Sequence, residues 1–313
     1  KDQQTAWTLF GVYPNFSWMP SNDAIVFWAG GRIQKIDVKN LTVTQIPFTV
    51  DVAIDVADRV HFKTPISDDD FNVKMIRDAV TSPDGKSLVF RALGYLWIKS
   101  LPNGIPKRLT SGSDFEAEPT FTSDGKNIVF VTWNDVNLGA ICKVGLDGKK
   151  IIKLTSEKGI FRTPNISPDG KMITYLKEQG NSDQGYAFSK KSGIYTMNMS
   201  GGNSKFVAEE GEYPVFSKDG KRIFYQTGGV FFGNLTKELK SIDLNGKDER
   251  THIKSKNANR LVPSPDNDWI AFTMLHKGYV APLNINGQTI DLDNNSTAVP
   301  VAEVTQIAGI NLH

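Results

Sequence analysis

Along most of the chain, apolar and polar residues alternate in short runs that stop at turns. The period is two throughout, and no segment sustains apolar residues at 3.6 spacing, so the pattern predicts strands and no helix. Thr81 to Arg91, TSPDGKSLVFR, shows the unit plainly: an Asp-Gly turn leads at once into a run of aliphatic and aromatic residues. Glycine accepts a positive φ and aspartate can hydrogen-bond its own turn backbone, so Asp-Gly between apolar runs is a strong hairpin signal.

The unit returns. Clear copies of the turn are Asp84-Gly85, Asp124-Gly125, Asp169-Gly170 and Asp219-Gly220. Two degenerate copies, Ser21-Asn22 and Asp266-Asn267, place asparagine where positive φ is needed, the residue next most tolerant of it. Successive turns are 63, 40, 45, 50 and 47 residues apart. After each turn an aliphatic residue is followed two positions later by an aromatic one: Ile25 and Phe27, Leu88 and Phe90, Ile128 and Phe130, Ile173 and Tyr175, Ile223 and Tyr225, Ile270 and Phe272. In a strand both members of such a pair point to one face.

Each copy then carries a second alternating hairpin, beginning near Arg32, Tyr95, Ala140, Gly193, Glu238 and Tyr279, with a central turn that is Gly-bearing in all but the first. The last of these reads TIDLD as its outgoing strand. Four short antiparallel strands in about 45 residues is the size of one propeller blade. A lone four-stranded sheet with an apolar face is not stable, whereas like neighbours bury each other's faces in turn. The expected fold is therefore an all-β propeller with six blades in one domain spanning 1–313. Blades are expected near 13–48, 76–110, 117–155, 162–208, 212–253 and 260–305, with an insertion at 49–75. Val299 to Thr305 reads as a further outer strand, and Ile310 to His313 as an inner strand of a truncated seventh blade, unless Thr5 to Val12 completes the ring.

Composition narrows the classes. Lys+Arg 36 against Asp+Glu 34 gives a net charge of +2, so charge favours neither nucleic acid nor anionic lipid. No apolar run approaches a membrane span of about 20 residues. The single Cys142 cannot form an internal disulfide, which leaves the redox compartment open. The chain opens on Lys1 without a signal-peptide core, and the expectation is a piece of a longer protein.

The SPDGK turn (Ser82 to Lys86) with its aliphatic-x-aromatic strand resembles the TolB-like propeller repeat of bacterial exported proteins, over nearly the whole chain. The chain is also similar to the propeller region of large bacterial amidohydrolase-related proteins. The residues shared with that region are Gly11 to Trp18, Ile25 to Gly31, Val73 to Met75, Thr132 to Asp135 with Leu138-Gly139, and Tyr279 to Pro282. Asn72 departs from it where Asp is usual, and Ser21-Asn22 is a degraded first turn. The resemblance implies a periplasmic or secreted location and a C-terminal metal-dependent hydrolase domain that this stretch lacks.

Catalytic motifs are sparse. A metal-dependent amidohydrolase needs a His-x-His pair with further ligands, but His61, His252, His276 and His313 are far apart and read as isolated surface or strand residues. No Gly-x-Ser-x-Gly elbow occurs. Gly85-Lys86-Ser87 mimics the tail of a phosphate loop, yet it falls in a hairpin instead of at a helix N-terminus. Asp291 to Asn295 imitates the start of a calcium loop, with Ser296 where the turn needs Gly and Ala302 where the bidentate Glu belongs. That run and Asp68-Asp69-Asp70 read as solvated loops. No cofactor, no metal and no catalytic residue is expected in this chain.

One set of residues points to binding. The residue before each inner strand lies at the rim of a propeller's channel, and six positions ahead of each turn stand Asn15, Asp78, Glu118, Thr163, Tyr213 and Arg260. Arg77, Glu116, Arg162 and Glu212 stand beside them. Converging carboxylates and guanidiniums suit a polar ligand, a peptide or oligomeric substrate, or a protein partner. The alternative is a wet, empty mouth. The excursion Glu178 to Ser192, the segment Thr227 to Asn234 and the 49–75 insertion are candidates for a lid or docking surface. Within them Phe231 and Phe232 read equally as blade packing.

Overall fold

The computed structural model describes residues 16–57, 71–181, 186–187, 189–229, 236–274, 277–294 and 299–303. The chain forms two compact units, Lys1–Phe71 with Asn181–Ala187, and Asn72–Gly180 with Phe188–His313. Among the described residues no helix is long and apolar enough to cross a membrane. His61, His276, His313, Asp68 to Asp70, Phe231, Phe232, Asn15 and both terminal segments invoked for ring closure lie outside the described residues.

The first unit holds one antiparallel sheet, β1 (Phe16–Trp18), β2 (Ala24–Ala29), β3 (Arg32–Asp37) and β4 (Val43–Ile46), in that order. Residues 47–57 form no strand.

The second unit holds five sheets of the expected kind. They comprise β5 (Arg77–Thr81), β6 (Ser87–Ala92), β7 (Tyr95–Ser100) and β8 (Lys107–Arg108); then β9 (Phe115–Phe121), β10 (Asn127–Asn134), β11 (Leu138–Gly145) and β12 (Ile152–Lys153). The third is β13 (Ile160–Ile166), β14 (Met172–Glu178), β17 (Gly193–Asn198) and β18 (Lys205–Ala208); between β14 and β17 in the chain come β15 (Gly180–Asn181) and β16 (Tyr186–Ala187), the latter within the first unit. The fourth is β19 (Glu212–Phe216), β20 (Arg222–Thr227), β21 (Lys237–Asp243) and β22 (Arg250–Ser255); the last is β23 (Ala258–Pro263), β24 (Trp269–Met274), β25 (Lys277–Pro282) and β27 (Val299–Glu303). With the first unit that makes six four-stranded repeats, an all-β fold of the propeller type.

The last repeat departs from the sequence reading. TIDLD does not close its hairpin. Instead β26 (Ile290–Asp291) pairs in parallel with β22 of the preceding repeat, Ile253 opposite Ile290, and Val299–Glu303 supplies the fourth strand against β25. Alternation alone cannot distinguish these pairings, because both segments alternate.

The core lies between repeats. Val89, Leu96 and Leu109 of the second repeat pack with Ile128, Phe130 and Cys142 of the third. From the third repeat's opposite face, Val129, Val131 and Ile141 meet Phe161, Tyr175 and Met197 of the fourth. The remaining two junctions are built alike, Ile194 and Val207 against Ile223 and Tyr225, then Phe224 and Leu239 against Ile270 and Phe272. Consecutive residues of a strand thus serve opposite neighbours, which the period of two demands. Burial of one such Ile or Phe contributes roughly 2 kcal/mol.

The turns are near copies. Ser82 Oγ donates to Asp84 Oδ1 at 2.6 Å, Lys86 N donates to the same oxygen at 3.0 Å, and Ser87 N donates back to Ser82 Oγ at 2.9 Å. Thr122/Asp124, Ser167/Asp169 and Ser217/Asp219 repeat this geometry. The hydroxyl bond, then the backbone N–H bond, holds Asp84, Asp124, Asp169 and Asp219 below the usual carboxylate range. Asn22 (φ 56°) and Asn267 (φ 61°) take the left-handed conformation that glycine takes elsewhere.

Candidate functional site

In the second unit each innermost strand carries a β-bulge near its N-terminal end. Two residues there face one on the next strand, between the paired positions Arg77 and Val80, Ala117 and Thr120, Arg162 and Asn165, Glu212 and Val215, and Asn259 and Val262. A bulge re-aims a side chain, and the re-aimed residue in every copy is left-handed: Asp78, Glu118, Thr163, Tyr213 and Arg260, with φ between 48° and 53°. Such backbone is uncommon outside glycine, and repeated strain at equivalent positions marks a site under constraint. The five residues line one cavity of about 690 Å³, together with Arg77, Arg91 and Arg162.

The acids of this mouth are engaged between repeats. Asp78 pairs with Arg91 Nε at 2.9 Å and accepts the Glu118 backbone N–H at 3.3 Å. Glu118 accepts Arg162 Nε at 2.7 Å and Nη2 at 2.6 Å, while its second oxygen takes the Thr163 N–H. Each bulged carboxylate therefore fastens the bulge of the next repeat. The succession ends at Thr163, whose side chain is too short, and the next two links come from elsewhere. Asn165 Oδ1 accepts Phe216 N at 3.0 Å, and Gln226 Oε1 accepts Leu261 N at 2.9 Å.

Burial works against the charged form of Arg162, but the Glu118 hydrogen bond and charge outweigh it and hold the guanidinium more firmly protonated than usual. Glu178, 3.5 Å from Arg162, is pushed up, first by burial and then by Glu118 and Glu212, with Arg162 opposing. Arg77 and Arg260 remain. Neither forms an ion pair among the described residues: Arg77 points its Nη2 at Met75 Sδ (2.8 Å), and the Arg260 guanidinium lies 5.4 Å from the Tyr213 ring centre. Beside the mouth, and sharing Arg91, Glu118 and Arg162 with it, is an apolar recess of about 440 Å³ walled by Phe115, Val131, Trp133 and Phe161. Phe115 is 44% exposed.

Of the residues expected at the rim, Arg77, Asp78, Glu118, Arg162, Tyr213 and Arg260 do line this cavity. Glu116 does not. It is 1% exposed, and its carboxylate accepts Leu96 N at 2.9 Å and the Thr110 hydroxyl, tying the third repeat back to the second. It stands one residue further from the turn than Arg77, Arg162 and Glu212 do, and in a strand one residue reverses the face. Glu212 is exposed and lies outside the cavity wall, near Glu178. Arg91 is a mouth residue that sequence reasoning missed. The signal was present, a charge directly after the Leu-Val-Phe run where the third and fourth copies carry Val131 and Leu176.

Two further arrangements serve the fold. Asp293 engages Ser255 Oγ at 2.6 Å and Lys256 N at 2.7 Å, which makes it a loop fastener. Ser241 Oγ lies 2.7 Å from His252 Nε2, a serine–histidine pair in distance, but Ser241 has no exposed surface and its oxygen also accepts Arg222 Nε at 2.9 Å. A nucleophile needs access to substrate.

No protein-family model matches the chain. Among curated proteins it is similar to Tol-Pal system protein TolB of Francisella tularensis subsp. tularensis, 27% identical over 196 residues, 63% of this chain. The corresponding protein of subsp. holarctica is 26% identical over the same length. The match spans 38% of these relatives. Among solved structures, a TolB-type protein from Agrobacterium tumefaciens superposes with a TM-score of 0.54 at 18% identity, covering 66% of this chain and 77% of that one. An oligogalacturonate lyase in complex with manganese gives 0.52 at 14% identity, covering 90% and 73%. The fold is TolB-like, of the β-propeller type.

Proposed function

We propose that this chain is a non-catalytic binding module of the bacterial envelope that captures a protein partner at its mouth. One observation carries the reading: the mouth's carboxylates Asp78 and Glu118 are engaged between repeats, while Arg77 and Arg260 form no ion pair among the described residues, and the mouth they line adjoins an apolar recess. Guanidiniums without a carboxylate partner, in a mouth that opens onto an aromatic-lined recess, suit an acidic segment that carries one large apolar side chain.

Two partners are in view. The resemblance to amidohydrolase-related proteins argues for a metal-dependent hydrolase domain that the module scaffolds or gates. The similarity to proteins named for the Tol-Pal system favours an envelope adaptor that recognises a lipoprotein, and a periplasmic location with it. Capture from envelope extracts, with and without Arg77→Glu/Arg260→Glu, separates them: a lipoprotein lost with the double variant supports the adaptor reading. Turnover of amide or ester substrates by the purified chain, with or without Zn²⁺, would overturn the non-catalytic reading.

A further inference from the structure

The repeats also meet at their other end, where the Asp-Gly turns lie, and one junction there differs from the rest. In three successive junctions the glycine of a repeat's second hairpin sits on the backbone of an aliphatic residue in the preceding repeat. A Cβ on Gly148 would collide with the Leu109 carbonyl, on Gly201 with that of Leu154, and on Gly246 with that of Val207. Leu109, Leu154 and Val207 are all buried.

The equivalent residue in the next repeat is His252, which sits at the register shift between Thr251 opposite Lys240 and Ile253 opposite Leu239, as Val207 sits between Phe206 and Ala208. At the expected glycine, Gly287, the three atoms nearest to an added Cβ all belong to Asn284 of its own loop. The displaced loop instead runs along the outer strand, Thr289 Oγ1 donating to Thr251 O at 2.9 Å before β26 pairs with β22. A cleft of about 810 Å³ is left between the two repeats, where the same end of the third and fourth repeats leaves about 290 Å³.

The cleft has a built floor and a mixed rim. Phe224, Leu283 and His252 lie beneath it, each at most 6% exposed, and Ile285 is the half-buried apolar residue on its wall. Nε2 is held by Ser241, and Nδ1 makes no hydrogen bond among the described residues. Four basic side chains on the wall are matched by four carboxylates, so the cleft carries no net field for an anion or a cation. Several of those charges are already engaged: Arg222 and Arg250 bind Asp248, and Asp219, Asp243 and Asp266 accept bonds within their own turns. Lys218, Lys221, Asp268 and Asn286 remain, a set of donors and acceptors around an apolar base.

We infer that this cleft is a saccharide-binding site, taking a neutral pyranose or disaccharide whose C–H face rests on Ile285 and whose hydroxyls meet the His252 Nδ1 side, Asp268 and Asn286. A neutral polyol satisfies donors and acceptors at once without leaving a buried charge unpaired, which neither a phosphate nor a cation does here. The site is separate from the mouth, and its test does not depend on the mouth's role.

The test is saturation-transfer NMR on the full 313-residue chain with cellobiose, chitobiose and maltose as probes, and inorganic phosphate and citrate as charged competitors. At least one disaccharide is expected to receive transfer that the anions do not displace. His252→Leu, which restores the aliphatic residue of the other repeats, should reduce affinity at least about tenfold. The exposed substitution Asp268→Asn, which keeps the fold, should reduce it about threefold or more. Arg77→Glu/Arg260→Glu should leave it unchanged. Absence of transfer from all three sugars, displacement by phosphate or citrate, or transfer surviving both cleft substitutions would overturn the inference.

Discussion

The two ends of the same strands obey different rules. At the turn end every repeat of the second unit makes the same bonds with the same residue types, a hydroxyl and a backbone N–H closing on one aspartate. At the mouth end the backbone repeats, with one bulge and one left-handed residue per strand, but the side chain at that residue changes in every copy. Constant chemistry on constant backbone serves the fold. Variable chemistry on constant, strained backbone is what a recognition surface requires, because the scaffold is held while the groups presented differ. The contrast also separates two kinds of carboxylate at the mouth: Asp78 and Glu118 link repeats, and their engagement gives the remaining arginines their excess.

The sharpest way to strain the turn end is Gly148→Val. The new side chain meets the Leu109 carbonyl at φ +69°, and a loss of at least about 3 kcal/mol is expected in the urea midpoint. Gly85→Ala, with nothing within 4 Å and only its φ of +70° against it, should cost about 1 kcal/mol. Equal losses would mean that hairpin seating between repeats does not carry stability.

Acid tests the one divergent junction. Burial, then Arg222 and Arg250, pulls His252 down to about 4 from its usual 6.5. The folded ring stays neutral while the unfolded chain binds the proton first. Stability is therefore full above pH 6.5 and falls as pH drops toward about 4, by up to roughly 3 kcal/mol. His252→Leu should flatten that window in pH-dependent denaturation and leave the steeper loss below the ordinary aspartate range, where the turn aspartates protonate. An unchanged slope would remove His252 from the account.

Glu116→Ala leaves the buried Leu96 N–H and the Thr110 hydroxyl without their acceptor and should cost about 2 kcal/mol. Arg77→Ala, at an exposed residue without an ion pair, should change stability by less than about 0.5 kcal/mol. If the order of these two is reversed, the division between linking and presenting groups fails.

The turn end was legible in the sequence because its signal is local: Asp-Gly, or asparagine standing in for glycine, followed by an aliphatic-x-aromatic strand. The rim positions were legible by counting back from the turn, which found Asp78, Glu118, Thr163, Tyr213 and Arg260 in register. Counting could not reveal the bulge, since inner strands of five to seven residues are too short on either side of it for a phase change in alternation to stand out, nor could it show that Glu116 turns inward. Pairing across repeats was hidden for the same reason. TIDLD alternates as well as VPVAE does, and the long path of the last loop decides which joins β25. His252 read as an isolated histidine because its significance comes from three other repeats, where Leu109, Leu154 and Val207 occupy its place.

The central claim is that recognition belongs to the mouth. The most direct measurement is the fluorescence anisotropy of a labelled glutamate-rich peptide carrying one phenylalanine, titrated with three proteins. These are the wild-type chain, Arg77→Glu/Arg260→Glu at the mouth, and Lys86→Glu/Lys126→Glu at the exposed turn end. Both double variants change net charge equally, so a generic field effect would weaken binding equally in both. A loss of about tenfold or more is expected for the mouth variant and of less than about twofold for the turn variant. Equal losses, or no binding by the wild-type chain, would contradict the claim.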